Sequence, residues 1–219
     1  FFGAVISVVG YLIGIFLRKK ISVLNPLLVS IIFVIAVIKI FHIDYETYNS
    51  GAKYISYLLT PATVCLAIPL YRQISVLKEH AKEVFIGILA GVLASMGSIL
   101  LMSYLFGLTH EQYVTLLPKS ITTAIGMGVS EELGGIQTIT VAVIIITGVL
   151  GNIIAEAVLK IFRIKEPVAK GLAIGTASHA IGTTKALEIG EIEGAMSSLS
   201  VAVAGLMTVI SASIFANMM

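Results

Sequence analysis

The chain has 219 residues, of which 58% are hydrophobic and 12% charged, and it contains no Trp. Its mean hydropathy is +1.04, whereas soluble domains carry about 25% charged residues, so the composition excludes an ordinary soluble domain and fits an all-α integral membrane protein. The formal net charge of +2, without a basic face or aromatic-basic interleaving, excludes a nucleic-acid binder.

A spanning helix needs about 20 mostly apolar residues. Residues 1–17 are the first such run; the chain opens at Phe1 rather than Met, so leading residues are expected to be missing. Arg18, Lys19 and Lys20 follow this run, the reverse of a secretory signal's charge order. Residues 26–42 are the second run, with Pro26 in the first turn, where its missing N–H costs little, and Lys39 snorkelling near the far end. The third run, 52–71, contains TPATVCLAIPLY. Pro61 and Pro69 each remove a backbone bond and invite a kink, either to border a cavity or for packing alone. Residues 84–106 are the fourth run, with Gly87, Gly91 and Ser95 repeating every four residues as a helix-packing seam. Residues 138–162 are the fifth; Glu156 and Lys160 are spaced to pair on one face, and Asn152, one turn earlier, is placed to bond across helices. Residues 201–219, extended back toward Gly194, are the sixth, with Gly194, Ser198 and Ala202 as a second seam. Such seams serve packing within one chain or a homodimer. Cys65 is the only cysteine, which excludes an intrachain disulfide and a multi-cysteine metal site.

Two weaker segments remain, 118–135 and 171–190. Both are rich in Gly, Ser and Thr, and PKSITTAIGMGVSEELGG answers in plan to GTASHAIGTTKALEIGE. Lipid cannot satisfy their backbone, so they are expected to be buried in protein or to line a watery cavity. The basic residues orient them. Arg18, Lys19 and Lys20, then Arg72, Lys78 and Lys82, then Lys160, Arg163, Lys165 and Lys170 lie in three loops that the positive-inside rule assigns to the cytoplasm. With that parity neither weak segment crosses completely. The first dips in from outside and the second from the cytoplasm; the alternative is that both cross as interrupted helices. The expected architecture is a single transmembrane domain, 1–219, of about six full transmembrane helices plus two broken or re-entrant segments. Residues 118–162 and 171–219 would be inverted-repeat units of a transporter-like core.

A helix interrupted in the bilayer exposes N–H groups that attract anions. Lys119, His179 and Lys185 add positive charge beside them, and Ser120, Thr122, Thr123, Ser178, Thr183 and Thr184 offer hydrogen bonds. With Gly182 these form a candidate substrate-binding set suited to a small carboxylate. Gly126, Gly128 and Gly175, with Pro61 and Pro69, are the expected helix-break positions. The competing reading is that the hydroxyls cap helix breaks and the glycines allow close packing. His179 titrates near neutral pH and is the first candidate for coupling protons to transport, Glu188 the second. A lone histidine makes a poor metal site. No nucleophile–base pair or nucleotide loop appears, so no catalytic residue, metal or cofactor is expected, and the chain reads as a non-enzyme.

The blocks LPKSITTAIGMGVSEELGGI and RIKEPVAKGLAIGTASHAIGTTKALEIGEIEGAMSSL resemble the LrgB/CidB family of bacterial membrane proteins. PATVCLAIPLY resembles that family's proline-containing helix, the GTASHAIGT block is specific, and the likeness covers essentially the whole chain. The resemblance implies a multi-pass protein of the bacterial cytoplasmic (inner) membrane with one of two roles. One is transport: the plant plastid relative is a glycolate/glycerate translocator, and bacterial members are tied to small monocarboxylates such as pyruvate. The other is an antiholin- or holin-like protein that modulates murein hydrolase activity and autolysis with a small LrgA/CidA-like membrane subunit. No LrgA-like portion is present here, so that subunit would be separate. The transporter reading fits the anion-favouring residues and is the leading expectation; the antiholin-like regulator is the alternative.

Overall fold

Among the described residues every regular element is an α-helix. The structure, a computed structural model, describes residues 1–219 except 22, 23, 59, 60, 62–64 and 66. The chain divides into two compact units, Phe1–Cys65 and Leu66–Met219.

The first unit holds α1 (Phe2–Lys20), α2 (Pro26–Ile40) and α3 (Tyr45–Ser56). Asn25 starts α2: its Oδ1 accepts from Leu27 N at 2.9 Å and Leu28 N at 3.3 Å, with Pro26 at the first helical position. Glycines on α1 let its neighbours approach, since a Cβ on Gly14 would lie 2.8 Å from Pro26 Cα. Ser7 Oγ meets Tyr48 Oη at 2.8 Å and ties α1 to α3. The polar sequence of α3 is capped by Asp44 and ends at Ser56. The expected third span, 52–71, therefore begins inside a different helix. Pro61 is exposed; most of the stretch between it and Pro69, and with it the proline-kink reading, lies outside the described residues.

The second unit starts with two short helices, α4 (Ala67–Arg72), which contains Pro69, and α5 (Ile74–Glu79). Then come α6 (Ala81–Phe106), α7 (His110–Leu116), α8 (Thr123–Glu132), α9 (Gln137–Ile161), α10 (Pro167–Ile189) and α11 (Glu191–Ala216). α1, α6, α9 and α11 are long and apolar enough to cross a membrane, and α2 is a shorter apolar helix. Four candidate spans among the described residues thus stand where about six were expected.

The burial pattern is that of a membrane protein. Ser103, Ser130, Thr140, Thr183, Ser197 and Ser200 are fully buried, while Leu105, Leu206, Ile210 and Ile214 are more than 60% exposed. Water would penalise that exterior; lipid does not, and small hydroxyl residues let helices approach closely.

Two chain reversals organise the unit. At about 1.5 Å per residue, α8 is roughly 15 Å long, half of a hydrocarbon core of about 30 Å. Thr115 near the end of α7, Ser130 near the end of α8 and Thr140 on the first turn of α9 meet. Thr140 Oγ1 lies 2.8 Å from Thr115 O and 2.7 Å from Ser130 Oγ, and Ile136 N donates to Thr115 Oγ1 at 2.8 Å. Residues 117–122 turn the chain between α7 and α8, and there Ser120 Oγ reaches Ser95 Oγ at 2.9 Å, near the middle of α6. The chain goes in along α7 and comes back along α8. Thr140→Val leaves buried acceptors unmatched, so it should lower stability by about 1–3 kcal/mol. Chemical unfolding in mixed micelles would read the loss, and an unchanged stability would remove this knot from the account of the fold.

The second reversal is inside α10, where His179 has φ 42° and ψ −143°. The leading arm, 167–178, runs parallel to α6: Leu172 lies against Gly87, and Thr176 against Gly91. It also runs parallel to the start of α11. A Cβ on Gly171 would fall 2.7 Å from Met196 Cβ, and one on Gly175 2.8 Å from Ser197 Cα, so both positions need glycine for close approach. The returning arm, 180–189, runs antiparallel to α11. Thr183 Oγ1 meets Ser197 Oγ at 2.8 Å, and Leu187 lies against Gly194. Along α9 the returning arm is parallel, with Ile181 beside Asn152 and Lys185 beside Glu156. The Gly87–Gly91 seam is thus filled by the leading arm within one chain.

Candidate functional site

The break at His179 frees carbonyls that nearby side chains satisfy. His179 is buried, and its Nε2–H donates to Ile144 O at 2.9 Å. Thr183 Oγ1 donates to His179 O at 3.1 Å. Ile181 O accepts from Asn152 Nδ2 at 2.9 Å and from Thr184 Oγ1 at 2.8 Å. A Cβ on Gly148 would sit 2.8 Å from His179 Nε2, so the imidazole fills a slot that only glycine leaves open. His179, Thr183, Thr184 and Asn152 hold the reversal in shape.

The turn at 117–122 presents a different arrangement. Lys119 Nζ donates to Ser120 Oγ at 3.0 Å and to Ser95 Oγ at 3.3 Å. Among the described residues no carboxylate lies within ion-pair distance of Lys119. It is a half-buried cation whose partners among the described residues are two hydroxyls.

A cavity of about 940 Å³ opens between α6, the turn, α9 and the leading arm of α10. Lys119, Ser120 and Ser95 line it from one side, and Thr176 and Ser178 from the other. Thr176 is 6% exposed, and its Oγ1 is a buried hydroxyl without a hydrogen-bond partner among the described residues. Buried polar groups are nearly always bonded; Thr176 Oγ1 and Ser103 Oγ are the two side-chain exceptions among the described residues. Glu83 on the first turn of α6 and Glu166 at the start of α10 also line the cavity. The arrangement can hold a small anion at the Lys119 end, with hydroxyls on two sides.

Of the residues expected from sequence, Lys119, Ser120 and Ser178 come together at this cavity. Thr122 and Thr123 begin α8, half-buried, and Thr122 makes no side-chain cap bond among the described residues. His179, Gly182 and Thr183 are buried within the helix packing, and Thr184 is engaged with Ile181 and Asn152. Lys185 pairs with Glu156 at 2.5 Å and Glu188 at 3.2 Å, so the described ion pair of Glu156 is with Lys185 rather than one turn along its own helix. Gly126 and Gly128 lie inside α8 and Gly175 inside the leading arm, while the chain turns at 117–122 and at His179. Sequence reasoning left out Ser95 and Thr176 as site residues. The seam repeat had marked Ser95, and Thr176 belongs to the same GTASH stretch as His179.

The model of the LrgB-like family matches residues 7–218. The chain belongs to that family. "Antiholin-like protein LrgB" of Bacillus mycoides strain KBAB4 is 38% identical over 213 residues, 96% of this chain and 93% of that protein. Proteins of the same name from Bacillus cereus strain B4264 and Bacillus anthracis strain CDC 684 match to the same extent. No solved structure matches. Between the two roles that the family resemblance implies, these names stand with the antiholin-like one, the alternative of the sequence reading, rather than with monocarboxylate transport.

Proposed function

We propose that this LrgB-like membrane protein acts as an antiholin-like regulator of lysis in the bacterial cytoplasmic membrane. The observation that carries this reading is the 38% identity, over nearly the full length, to proteins named antiholin-like. In that role it restrains murein hydrolase activity together with a separate small LrgA-like membrane subunit, and the chain itself works as a homo-oligomer. Deleting its gene should speed autolysis and raise murein hydrolase activity, and restoring the chain should reverse both. Unchanged lysis timing and hydrolase activity in the deletion strain would end this reading.

The cavity favours a second reading, a secondary transporter of small monocarboxylates such as glycolate, glycerate or pyruvate. Lys119 would neutralise the carboxylate, with Ser95, Ser120, Thr176 and Ser178 orienting it. The reversals at 117–122 and at His179 support this reading because they start from opposite ends of α6 and each is followed by a long apolar helix, the plan of inverted repeats with broken helices near the midplane. Re-entrant segments of that kind open alternately to the two sides while the site stays in place. Proteoliposomes carrying the chain should take up labelled glycolate or pyruvate, and more so under an imposed pH gradient if protons are coupled. Absence of uptake of every small monocarboxylate, with the chain folded and inserted, would leave the regulator alone.

A further inference from the structure

A second cavity, of about 550 Å³, lies where α9 ends and α10 begins. Lys160, Arg163, Lys165 and Lys170 line it, against one lining carboxylate, Glu156. That carboxylate is engaged with Lys185 at 2.5 Å, and Lys170 pairs with Glu193 at 3.6 Å. Lys160, Arg163 and Lys165 have no ion-pair partner among the described residues. Arg163 is set in place by the end of α9: it takes the left-handed backbone, φ 55°, of a helix stop in which Ile164 N donates to Leu159 O at 2.9 Å. Cations gathered in one concavity repel one another unless an anion joins them, and phosphate oxygens meet Arg and Lys through short charge-assisted bonds.

The rest of the wall says where the anion comes from. Leu159, Ile164 and Ile189 give the cavity an apolar side. Ile161 and Phe162, next to it in the chain, are 73% and 72% exposed. They close a helix that is long and apolar enough to span a membrane, so this cavity sits where a span ends. Basic pockets at the cytoplasmic ends of transmembrane helices hold lipid head groups. We propose that this cavity binds the phosphate headgroup of an anionic phospholipid, whose acyl chains lie along Ile161 and Phe162. The bound headgroup braces the α9–α10 connection and so the root of the reversing helix. A soluble phosphate offers the same oxygens but leaves the apolar rim unused.

The test uses the full chain purified in a neutral detergent. Native mass spectrometry should show phosphatidylglycerol retained over phosphatidylcholine by at least about tenfold, as several basic contacts near a membrane surface imply. Phosphatidylglycerol should raise the thermal midpoint, phosphatidylcholine and inorganic phosphate should not, and Lys160→Gln with Arg163→Gln and Lys165→Gln should abolish the rise. Lys78→Gln with Lys82→Gln, basic residues that do not line the cavity, should keep it. Equal retention of the two lipids overturns the proposal. So does a triple variant that still responds, or inorganic phosphate alone reproducing the full rise. Retention by the wild-type chain decides the matter even if the triple variant does not fold.

Discussion

His179→Ala should lower stability by about 3 kcal/mol, from a lost buried hydrogen bond and a cavity beside Gly148. The imidazole is 2% exposed, and its bond to Ile144 O, with that of Asn152 to Ile181 O, fastens the reversal to α9. The backbone adds a separate effect. At φ 42° and ψ −143° a residue with a Cβ pays about 1–3 kcal/mol that glycine does not. Glycine loses roughly 0.5–1 kcal/mol more chain entropy on folding. His179→Gly should therefore recover about 1 kcal/mol of what the alanine variant loses. Equilibrium unfolding of both variants in mixed micelles gives the order. If the glycine variant is the less stable of the two, the chain does not reverse at this residue through a left-handed backbone, and the two-arm description of α10 fails with it.

Much of this architecture is written in the hydropathy of the chain. The runs at 84–106 and 138–162 lie within a few residues of α6 and α9, because only long uninterrupted apolar stretches can face lipid. The last helix starts earlier than its apolar run, at Glu191, because Glu193 is buried and paired with Lys170; hydropathy alone discards such a residue. The third run misled for the opposite reason. Ala52 looks like the start of an apolar stretch, yet Asp44 caps a polar helix that already contains it.

The site was legible only in part, and the reversal explains why. Thr176 and Thr183 lie seven residues apart, which on a straight helix places them on one face. With the chain turned at His179, Thr176 lines the cavity and Thr183 packs on Ser197 of α11. Lys185 is carried by the same turn to Glu156, and it also pairs with Glu188 three residues along its own arm. Composition marks the whole stretch as polar, but it cannot divide hydroxyls that close the break from those left open to a ligand. That division needs the folded positions: Thr183 bonds His179 O and Ser197, whereas Ser120 and Ser178 line the cavity.

On the transporter reading, Lys119→Gln should weaken binding of a small monocarboxylate by at least about 30-fold, since removing one partner of a buried charge pair costs about 2–5 kcal/mol. Glutamine can still bond Ser95 and Ser120, which now hold the ammonium at 3.3 and 3.0 Å, so the turn should keep its shape while losing its charge. Thr176→Val is nearly isosteric and removes only the orphan hydroxyl. A neutral hydrogen bond contributes about 0.5–1.5 kcal/mol, so the expected loss is about 2- to 12-fold. Lys185→Gln is the control: its ammonium is held by two carboxylates on the returning arm and α9, and binding should stay within about twofold, as for sites without shared partners. Calorimetric titration of glycolate and pyruvate into the purified chain gives all three ratios. A Lys119→Gln variant with undiminished affinity would move the site away from this cavity. A larger loss at Lys185 than at Lys119 would move it to the returning arm, where the sequence alone had placed half of it.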